Sequence, residues 1–387
     1  MSFCILPFST LYVENNRVRL CCESEERTEK YITEDVSVDD VWNGEFFQDI
    51  RRQMLAGELP DACRICKLHE EVGEESKREW ENSRVSDPDY YIALDHPTKF
   101  DLRLSNKCNL ECVMCNGVVS SAITKRVREY TTEKFVIQTQ DDWDQQSQII
   151  EYVNQHKDSI TELKFCGGEP FLQWEVMETL ESLADAGVAG NIDLTFITNC
   201  TVQRERWFRD VITKYKSVKL NLSVDGVEDT LEYVRWPSRW NTVDKTVRFF
   251  KELSDTHRHI RISLSPVIHL LNALDLHRLF EYAAELKINI ALGPVLQTNN
   301  ETYLHTNLLT DELRRTVWEN FQPVLNNPDL SFNIGRGFIS DLLKQTYTPD
   351  PQQIEHLNNV VKYWDSHRQT PFVQQFPHLE YLIHERL

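Results

Sequence analysis

Short apolar runs alternate with longer amphipathic segments between residues 98 and 300. Several of the short runs are rich in β-branched residues and lack alternating polar positions, which is typical of strands buried in a parallel sheet. The segments between them repeat apolar residues at helical spacing, as in Trp174–Ala186, Val243–Leu253 and Leu274–Leu286. The six predicted strands are Phe100–Leu104, Glu162–Phe165, Ile192–Ile197, Val218–Ser223, Ile260–Leu264 and Ile288–Leu292. This succession predicts an α/β protein built on an incomplete parallel (β/α)6 barrel.

The segment ahead of this barrel has a different character. Residues 1–97 contain five cysteines, many acidic residues and a helix-like stretch from Val41 to Leu55. Two apolar segments, Leu11–Val13 and Val18–Leu20, flank the turn residues Glu14-Asn-Asn16 and predict a small hairpin. We therefore expect a small cysteine-rich module at the N-terminal side of the barrel.

A polar insertion and a helical tail complete the predicted organisation. The insertion covers residues 130–160 and includes a predicted helix from Gln145 to Asn154. Beyond residue 300 no clear strand is visible, and Thr310 precedes two acidic residues as the start of a helix should. The predicted domains are residues 1–97, 98–300 and 301–387.

The composition is that of a globular protein and argues against two kinds of partner. Hydrophobic residues make up 41% and charged residues 27% of the 387 positions, which are ordinary proportions. The formal net charge of −19 makes the chain a poor general ligand for phosphate backbones, so we expect no nucleic-acid partner. No segment approaches roughly 18 uninterrupted apolar residues, and we expect no membrane span.

The ten cysteines are clustered along the chain, which indicates metal binding rather than a disulfide framework. Disulfide frameworks are characteristic of small secreted domains, and this chain is large. The first residues lack the basic region of a secretory signal, and Pro7 interrupts their short apolar run. We therefore expect a cytoplasmic protein with reduced cysteines.

Three cysteines follow the first predicted strand at Cys-x3-Cys-x2-Cys spacing: Cys108, Cys112 and Cys115. Three thiolates at this spacing can hold three irons of a cubane iron–sulfur cluster and leave the fourth iron without a protein ligand. Reactive metal sites keep such an open position, whereas structural sites are usually closed. The ends of strands are also where parallel barrels carry their chemistry. A zinc site is the alternative, but the local sequence supplies only three ligands.

A second element, Cys166-Gly-Gly-Glu-Pro170, directly follows the second predicted strand. Its glycines allow a ligand to approach the backbone, and the Glu169 carboxylate can accept hydrogen bonds from an ammonium group. Weaker elements end the next two strands, namely Thr198-Asn-Cys200 and Ser223-Val-Asp-Gly226, and Arg235 follows them. Each weaker element alone is better explained as an ordinary turn, because Thr-Asn and Asp-Gly are common turn residues.

Taken together and in this order, these elements resemble those of the radical S-adenosylmethionine (SAM) enzymes. The resemblance implies a [4Fe–4S] cluster on the three cysteines, with SAM bound at the open iron. An electron from the reduced cluster would cleave SAM to methionine and a 5′-deoxyadenosyl radical, which would abstract hydrogen from a substrate. Glu169 would contact the amino group of SAM, Ser223 and Asp225 its ribose, and Arg235 its carboxylate. The residues assigned to SAM are Gly167, Gly168, Glu169, Asn199, Ser223, Asp225 and Arg235.

Two residues depart from the pattern of this family. Met114 stands where an aromatic residue usually packs near adenine, and methionine is adaptable enough to preserve that packing. Cys200 stands where glycine is usual, which leaves the geometry of its turn open. Cys166 and Cys200 are also candidate donors of a hydrogen atom to a substrate radical, although a small buried residue is the simpler explanation of each. No other catalytic residue is assigned.

The N-terminal cysteines resemble the auxiliary-cluster module called SPASM or twitch. The resemblance implies a second [4Fe–4S] cluster, and Cys21 is favoured over its neighbour Cys22 because adjacent residues cannot easily both reach one compact cluster. Full ligation would suit electron transfer, whereas three ligands would leave an iron open for substrate. A structural zinc is the alternative, since a Cys-x2-Cys pair with two further cysteines also suits that metal. The favoured ligands are Cys4, Cys21, Cys63 and Cys66.

The auxiliary module favours a peptide or protein substrate. A small-molecule substrate is the alternative within the same class of enzyme, and a non-catalytic iron–sulfur carrier or scaffold is the alternative outside it. The nearly complete set of SAM elements argues against a carrier. A winged-helix peptide-recognition domain is not evident in the first 97 residues. We also expect an electron donor such as flavodoxin or ferredoxin.

Overall fold

The computed structural model describes residues 3–14, 17–24, 27–33, 35–130, 147–291, 302–326, 344, 347–348 and 350–383. By their contacts the residues group into two units. The first comprises residues 1–107, 142–196 and 206–218, and the second comprises residues 108–141, 197–205 and 219–387. Each unit therefore combines segments that are distant in sequence.

The first unit is built on a sheet of mixed direction in which the later strands are parallel. In the order β3-β2-β1-β4-β5-β6, the pairs from β1 onward are parallel, and the β1–β2 and β2–β3 pairs are antiparallel. The β1–β2 pair is the predicted hairpin, and its turn residues 15 and 16 lie outside the described residues. The strands are β1 (Thr10–Glu14), β2 (Arg17–Arg19), β3 (Arg27–Tyr31), β4 (Lys99–Arg103), β5 (Glu162–Phe165) and β6 (Asp193–Thr198).

The second unit continues the alternation of strands and helices. Its strands follow in the order β7 (Ser217–Leu222), β8 (Ile260–Leu264) and β9 (Asn289–Ile290), and β8 and β9 are parallel. In the described part of residues 301–387 the regular elements are helical, as predicted. The helix predicted after Thr310 is present, and the Thr310 hydroxyl accepts a hydrogen bond from the amide of Leu313 over 3.2 Å.

Helices occur in both units, and most lie between successive strands. No helix in the described ranges combines the length and the apolar character that crossing a bilayer requires. The α-helices are α1 (Leu6–Ser9), α2 (Val38–Trp42), α3 (Glu45–Leu55), α4 (Arg64–Glu71), α5 (Lys77–Ser83), α6 (Pro88–Ile92), α7 (Ser121–Glu129), α8 (Ser147–Gln155), α9 (Trp174–Asp185), α10 (Glu205–Asp210), α11 (Glu228–Val234), α12 (Trp240–Thr256), α13 (Leu276–Leu286), α14 (Asp311–Leu325), α15 (Pro351–Asp365) and α16 (Phe372–Gln375).

The predicted α/β class is confirmed, and the predicted strands agree with the structure to about one residue at most ends. Leu292, the predicted end of the sixth strand, and Gln145, the predicted start of the insertion helix, lie outside the described residues. The helix-like stretch predicted over Val41–Leu55 is helical except for a break at residues 43 and 44. The chain forms α2 and α3, because Asn43 ends the first helix and Gly44, in an extended conformation, begins the second.

One expectation about the strands also needs correction. Several of the predicted strands were expected to be buried as in a parallel sheet covered on both faces, but burial alternates along β4, β5 and β6. Phe100, Leu102 and Phe165 are buried on one face, while Asp101 and Lys164 on the other remain partly exposed. The reason lies in the side chains, since ionic groups at alternate positions need water or charged partners.

Candidate active site

The triad, Cys108, Cys112 and Cys115, lies in a loop that the second unit holds by its backbone. The amide of Glu111 donates to the carbonyl of Trp236 over 2.6 Å, and the amide of Val113 donates to the carbonyl of Val234 over 2.9 Å. These bonds attach the loop to the C-terminal end of α11 and the residues that follow it. The backbone is therefore fixed on both sides of Cys112.

The thiols of the triad act on one another. A hydrogen bond from Cys115 lowers the pKa of the Cys112 thiol below its usual value. The same hydrogen bond, together with burial, raises the pKa of Cys115, and Cys108 adds to that rise. The three thiols thus lie close enough to interact, with Cys112 buried and Cys108 and Cys115 partly buried, and they form the donor set that an iron–sulfur cluster requires.

Two nitrogen donors point at these sulfur atoms. Asn199 Nδ2 lies 3.9 Å from Cys108 Sγ, and Arg235 Nη1 lies 3.9 Å from Cys112 Sγ. Hydrogen bonds to ligating sulfur orient the ligands and tune the potential of the metal. The triad and its two donors therefore fit the iron–sulfur cluster that the spacing predicts.

Asp225 and Arg235 form a buried ion pair. Arg235 Nε donates to Asp225 Oδ2 over 2.6 Å, and the side chains are 9% and 0% exposed. The amide of Val267 donates to the other carboxylate oxygen of Asp225 over 2.7 Å. Asp225 and Arg235, the residues predicted to contact the ribose and the carboxylate of SAM, thus already bind protein groups. The guanidinium of Arg235 also lies near the sulfur of Cys112.

A polar network beyond Asp225 holds this pair in place. Asn272 Nδ2 donates to the Asp225 carbonyl and to the Val267 carbonyl, each over 2.9 Å. Asn272 Oδ1 accepts from the amide of His269, and His269 Nδ1 accepts from the amide of Leu271 over 3.1 Å. Burial lowers the pKa of His269 to about 4, so the ring is neutral at neutral pH. The network therefore leaves Asp225 as the counter-charge of Arg235.

The C-terminal helices of the second unit also support the triad loop. Arg368 Nη2 donates to the Glu111 carbonyl over 3.0 Å, and the Tyr363 hydroxyl donates to Glu111 Oε2 over 3.3 Å. Tyr303 donates through its hydroxyl to the carbonyl of Val113 over 3.2 Å. The loop between the cysteines is thus bound by residues from the last quarter of the chain.

The predicted Gly-Gly-Glu element forms a tight turn in the first unit. Gly167 and Gly168 have φ values of 82° and 55°, in the left-handed region that favours glycine. The amide of Glu169 donates to the Lys107 carbonyl over 2.9 Å, and Glu169 Oε1 accepts from the amide of Phe171 over 3.2 Å. Glu169 is fully buried. The turn is therefore pressed against the residues that precede the triad.

A Gly168→Ala variant is expected to destabilise the protein and weaken SAM binding. A Cβ atom at position 168 would lie 2.4 Å from the carbonyl oxygen of Lys107, so the turn must shift. Backbone strain of this kind costs about 1–3 kcal/mol. Thermal unfolding and equilibrium dialysis with labelled SAM measure the two effects.

Gly187→Ala is the matched control for that variant. Gly187 also has a positive φ, of 78°, but no atom of the described residues lies within 4 Å of the Cβ position. It should therefore show only the cost of the backbone conformation, with unchanged SAM affinity. Equal losses of stability and unchanged SAM binding in both variants would contradict the close packing assigned to Gly168.

The remaining SAM candidates lie at the ends of β6 and β7. Asn199 is buried, and its Oδ1 accepts from the Thr201 hydroxyl over 2.6 Å. Ser223 is half-buried, and its amide donates to the Thr198 carbonyl over 2.8 Å. Cys200 has a φ of 62°, so this cysteine adopts the left-handed conformation of the glycine it replaces. Its thiol lies 3.8 Å from the Thr198 carbonyl.

Four N-terminal cysteines line one pocket of the first unit. Leu20, Met54 and Lys77 are among the other lining residues, and Cys22 is not among them. Burial raises the pKa of Cys4, and it raises the pKa of Cys21 to about 12. A metal would have to displace the protons of these buried thiols, which couples its binding to pH. The four cysteines are the favoured ligands: Cys4, Cys21, Cys63 and Cys66.

All ten cysteines lie within the described residues, and none of them forms a disulfide. Within the described ranges no group of three His, Cys, Asp or Glu side chains is placed to hold a single metal ion. A cubane cluster spreads its ligands more widely than one ion does, so this finding concerns single ions only. The four thiols around one pocket thus fit a cluster in their number and chemistry.

Cys166 lies at the end of β5 rather than in either cysteine group. Its thiol is 3.6 Å from Asp101 Oδ1, and burial raises its pKa to about 11. The group is therefore a neutral thiol near neutral pH. Its place as a hydrogen donor stays a prediction, as does that of Cys200.

Sequence reasoning did not find several residues that support the triad. Glu111, His269, Asn272, Tyr363 and Arg368 reach the site through contacts between distant parts of the chain. Glu111 lies inside the triad spacing, but nothing local identifies its partners Tyr363 and Arg368, which are more than 250 residues away. Only the folded chain brings these groups together.

Comparison with protein families assigns the class of the chain. Residues 102–308, more than half of the 387, match the Radical SAM superfamily. The chain therefore belongs to the Radical SAM superfamily. A [4Fe–4S] cluster and SAM are the cofactors of this family. Among curated proteins, none matches the chain.

Several solved structures are similar to the chain at low identity. anSMEcpe with bound AdoMet shares 19% identity at a TM-score of 0.38, covering 63% of this chain and 66% of that one. Streptococcus suis SuiB bound to S-adenosylmethionine shares 15% identity at a TM-score of 0.39, covering 78% and 65%. SuiB bound to its precursor peptide SuiA shares 15% at 0.36, covering 78% and 66%. The chain thus spans 65% to 66% of the length of these proteins.

Proposed function

We propose that this chain cleaves SAM at a cluster held by Cys108, Cys112 and Cys115 and uses the product to take hydrogen from a peptide or protein. The observation that carries the proposal is the convergence of three thiols with two nitrogen donors, inside the region that matches the superfamily. When bound and reduced, the cluster supplies the electron that divides SAM into methionine and a 5′-deoxyadenosyl radical.

The residues around the triad orient the cysteine ligands and contribute to the binding of SAM. Asn199 and Arg235, both buried, place a nitrogen donor near the sulfur atoms of Cys108 and Cys112 and so orient these ligands. Asp225 fixes the guanidinium of Arg235, so this pair contributes to SAM binding from a buried position rather than as a pair of free side chains. Removing either partner of a buried ion pair would leave the other charge buried without a counter-charge, which is destabilising.

The remaining contacts to SAM are proposed as the resemblance assigns them. Gly167 and Gly168 leave the backbone open, Glu169 accepts from the amino group, and Ser223 offers a half-buried hydroxyl to the ribose. Glu169 must then exchange its hydrogen bond from Phe171 for one from SAM, or share its two oxygens between them.

A second cluster at the N-terminal cysteines is part of the proposal. The supporting observation is that Cys4, Cys21, Cys63 and Cys66 line one pocket while Cys22 does not. Four thiolates would close the cluster, which suits the passage of electrons from a flavodoxin or ferredoxin. By its resemblance to an auxiliary module, the pocket also supports a peptide or protein substrate over a small molecule.

Replacing Cys63 and Cys66 by alanine is expected to remove the N-terminal cluster and to leave the triad cluster in place. After anaerobic reconstitution the iron content should fall from about eight to about four per chain. Slow formation of 5′-deoxyadenosine with dithionite should persist, because the triad is intact. Iron analysis and chromatography of the nucleoside measure these effects.

Cys22→Ala is the control for the double variant. Cys22 does not line the pocket, so both clusters should remain. Zinc in place of the second cluster in the wild-type protein would refute the auxiliary cluster. Complete loss of 5′-deoxyadenosine in a folded double variant that keeps its triad cluster would refute the separation of roles.

A further inference from the structure

One face of the first unit's sheet carries two rows of polar side chains. Pairing of the strands places Tyr12 opposite Asp101 and Asp101 opposite Lys164. In the next row Glu14 lies opposite Arg103. Residues two apart in a strand share a face, so both rows point to the same side of the sheet.

This face differs from the interior of a closed barrel. The interior of such barrels is filled with branched apolar side chains in layers. Here Arg103 is 33%, Lys164 26% and Asp101 13% exposed, while Phe100 and Leu102 on the opposite face are buried. Partly exposed ionic side chains on a central strand need water or a polar ligand, because burying them against apolar groups is costly.

Among the ion pairs of these two rows, cations outnumber carboxylates. Arg103 Nη1 lies 3.1 Å from Glu14 Oε1, and Arg19 Nη2 lies 3.6 Å from the other oxygen of the same carboxylate. Lys164 Nζ lies 2.6 Å from Asp101 Oδ2. Three cations therefore share two carboxylates, in a chain whose formal net charge is −19.

The two arginines also retain buried donors. Among the described residues, the Nε atoms of Arg19 and Arg103 are buried and have no hydrogen-bond partner. Both guanidinium groups lie over the ring of Tyr12, 6.0 Å and 5.6 Å from its centroid. Buried donors in native proteins are nearly always paired, so these atoms are available to an acceptor that binds at this face.

The face adjoins the Gly-Gly-Glu turn. A Cβ atom at Gly167 would lie 3.0 Å from the Cβ of Arg103, so this glycine allows the arginine to pack against the turn. An acceptor bound to Arg103 would thus lie beside the element assigned to SAM. That is where the substrate of a hydrogen abstraction must be held.

We propose that Arg19, Arg103 and Lys164 bind a carboxylate group of the substrate. The inference rests on the proposed function and names the chemistry of what the enzyme acts on. The planar guanidinium group matches a carboxylate in geometry, and lysine adds charge. The carboxylate belongs either to an acidic peptide or to a free organic acid. The relative affinities for a peptide probe and a small-acid probe distinguish these two sources.

The test uses the reconstituted enzyme and two probes, fluorescein-labelled hexaglutamate and glutarate. Wild-type protein should bind hexaglutamate, more weakly as salt rises, and Arg103→Gln should raise the dissociation constant about tenfold. Arg84→Gln is the matched control, because Arg84 is an exposed arginine of the same unit that lies outside this face. Lys164→Gln provides an independent variant if Arg103→Gln does not fold.

The outcomes are distinct. Competition by glutarate at concentrations similar to the peptide assigns the site to a free acid, and tight binding of the peptide alone assigns it to a peptide. Equal affinity of wild type, Arg103→Gln and Lys164→Gln overturns the inference, as does the absence of binding to either probe. Cleavage of SAM by the wild-type protein is measured separately, so failure of the proposed function is distinguishable from failure of this site.

Discussion

Replacing Cys108, Cys112 and Cys115 together by alanine is expected to remove about four of about eight irons and to abolish formation of 5′-deoxyadenosine. The three thiols are the only sulfur ligands that the triad loop supplies, and they interact directly in the structure. Without them no open iron exists for SAM. Iron analysis, the absorption spectrum of the reconstituted protein and chromatography of the nucleoside measure the change.

In our proposal, a second cluster on the N-terminal cysteines serves as an internal control in that variant. Its four cysteines lie in the other unit and are unchanged, so the remaining iron reports that the protein has folded. A variant that keeps all of its iron, or that still forms 5′-deoxyadenosine, would contradict the assignment of the triad as the reactive site.

Asp225→Asn is expected to cause the second large effect. The substitution removes the counter-charge of Arg235, whose side chain is 9% exposed and has its Nε 2.6 Å from the carboxylate. Removing one partner of a buried ion pair lowers the free energy of unfolding by about 3–5 kcal/mol. Since the same arginine donates to Cys112, incorporation of the triad cluster should also fall. Urea denaturation and iron content measure the two losses.

Asp255→Asn is the matched control for the ion pair. Asp255 pairs with Lys251 over 2.5 Å on α12, but its side chain is 61% exposed. Exposed pairs contribute about 0–1 kcal/mol, so this change should be small and should leave the iron content unaltered. If Asp225→Asn lowers stability no more than Asp255→Asn does, the buried pair does not hold the site as described.

Local patterns were sufficient for much of the fold. The strands Glu162–Phe165 and Ile260–Leu264 have the bounds that the sequence predicts, because each is a short run with apolar residues between polar segments. The break between α2 and α3 was also visible in principle, since Gly44 is a poor residue for a helix interior. Alternation of charged residues in β4 and β5 was present too, and it gave the polar face that the prediction of buried strands passed over.

Contacts between distant residues explain what the sequence did not reveal. Spacing predicted the triad and the Gly-Gly-Glu turn, which are contiguous in the chain. It did not reveal that Asp225 is shared between Arg235 and Val267, or that Arg368 binds the carbonyl of Glu111. Many polar residues of the same types are spread along the sequence. Which of them come into contact is decided only when the chain folds.

The predicted domain boundaries and the cytoplasmic location stay predictions. The parallel pairing of β1 with β4 shows that a strand from residues 1–97 continues the sheet of the following segment. The cysteine pocket and the polar face thus belong to one unit. In our proposal, that unit holds the substrate and passes electrons, while the triad lies in the other.

Cleavage of SAM by the purified protein tests the central claim most directly. Anaerobically reconstituted wild-type enzyme, reduced with dithionite and given SAM, should form 5′-deoxyadenosine and methionine in equal amounts, and no peptide or other substrate is needed for slow turnover. Without dithionite neither product should form. Protein that holds a reduced [4Fe–4S] cluster on the triad and binds SAM, yet forms no 5′-deoxyadenosine, would contradict the account.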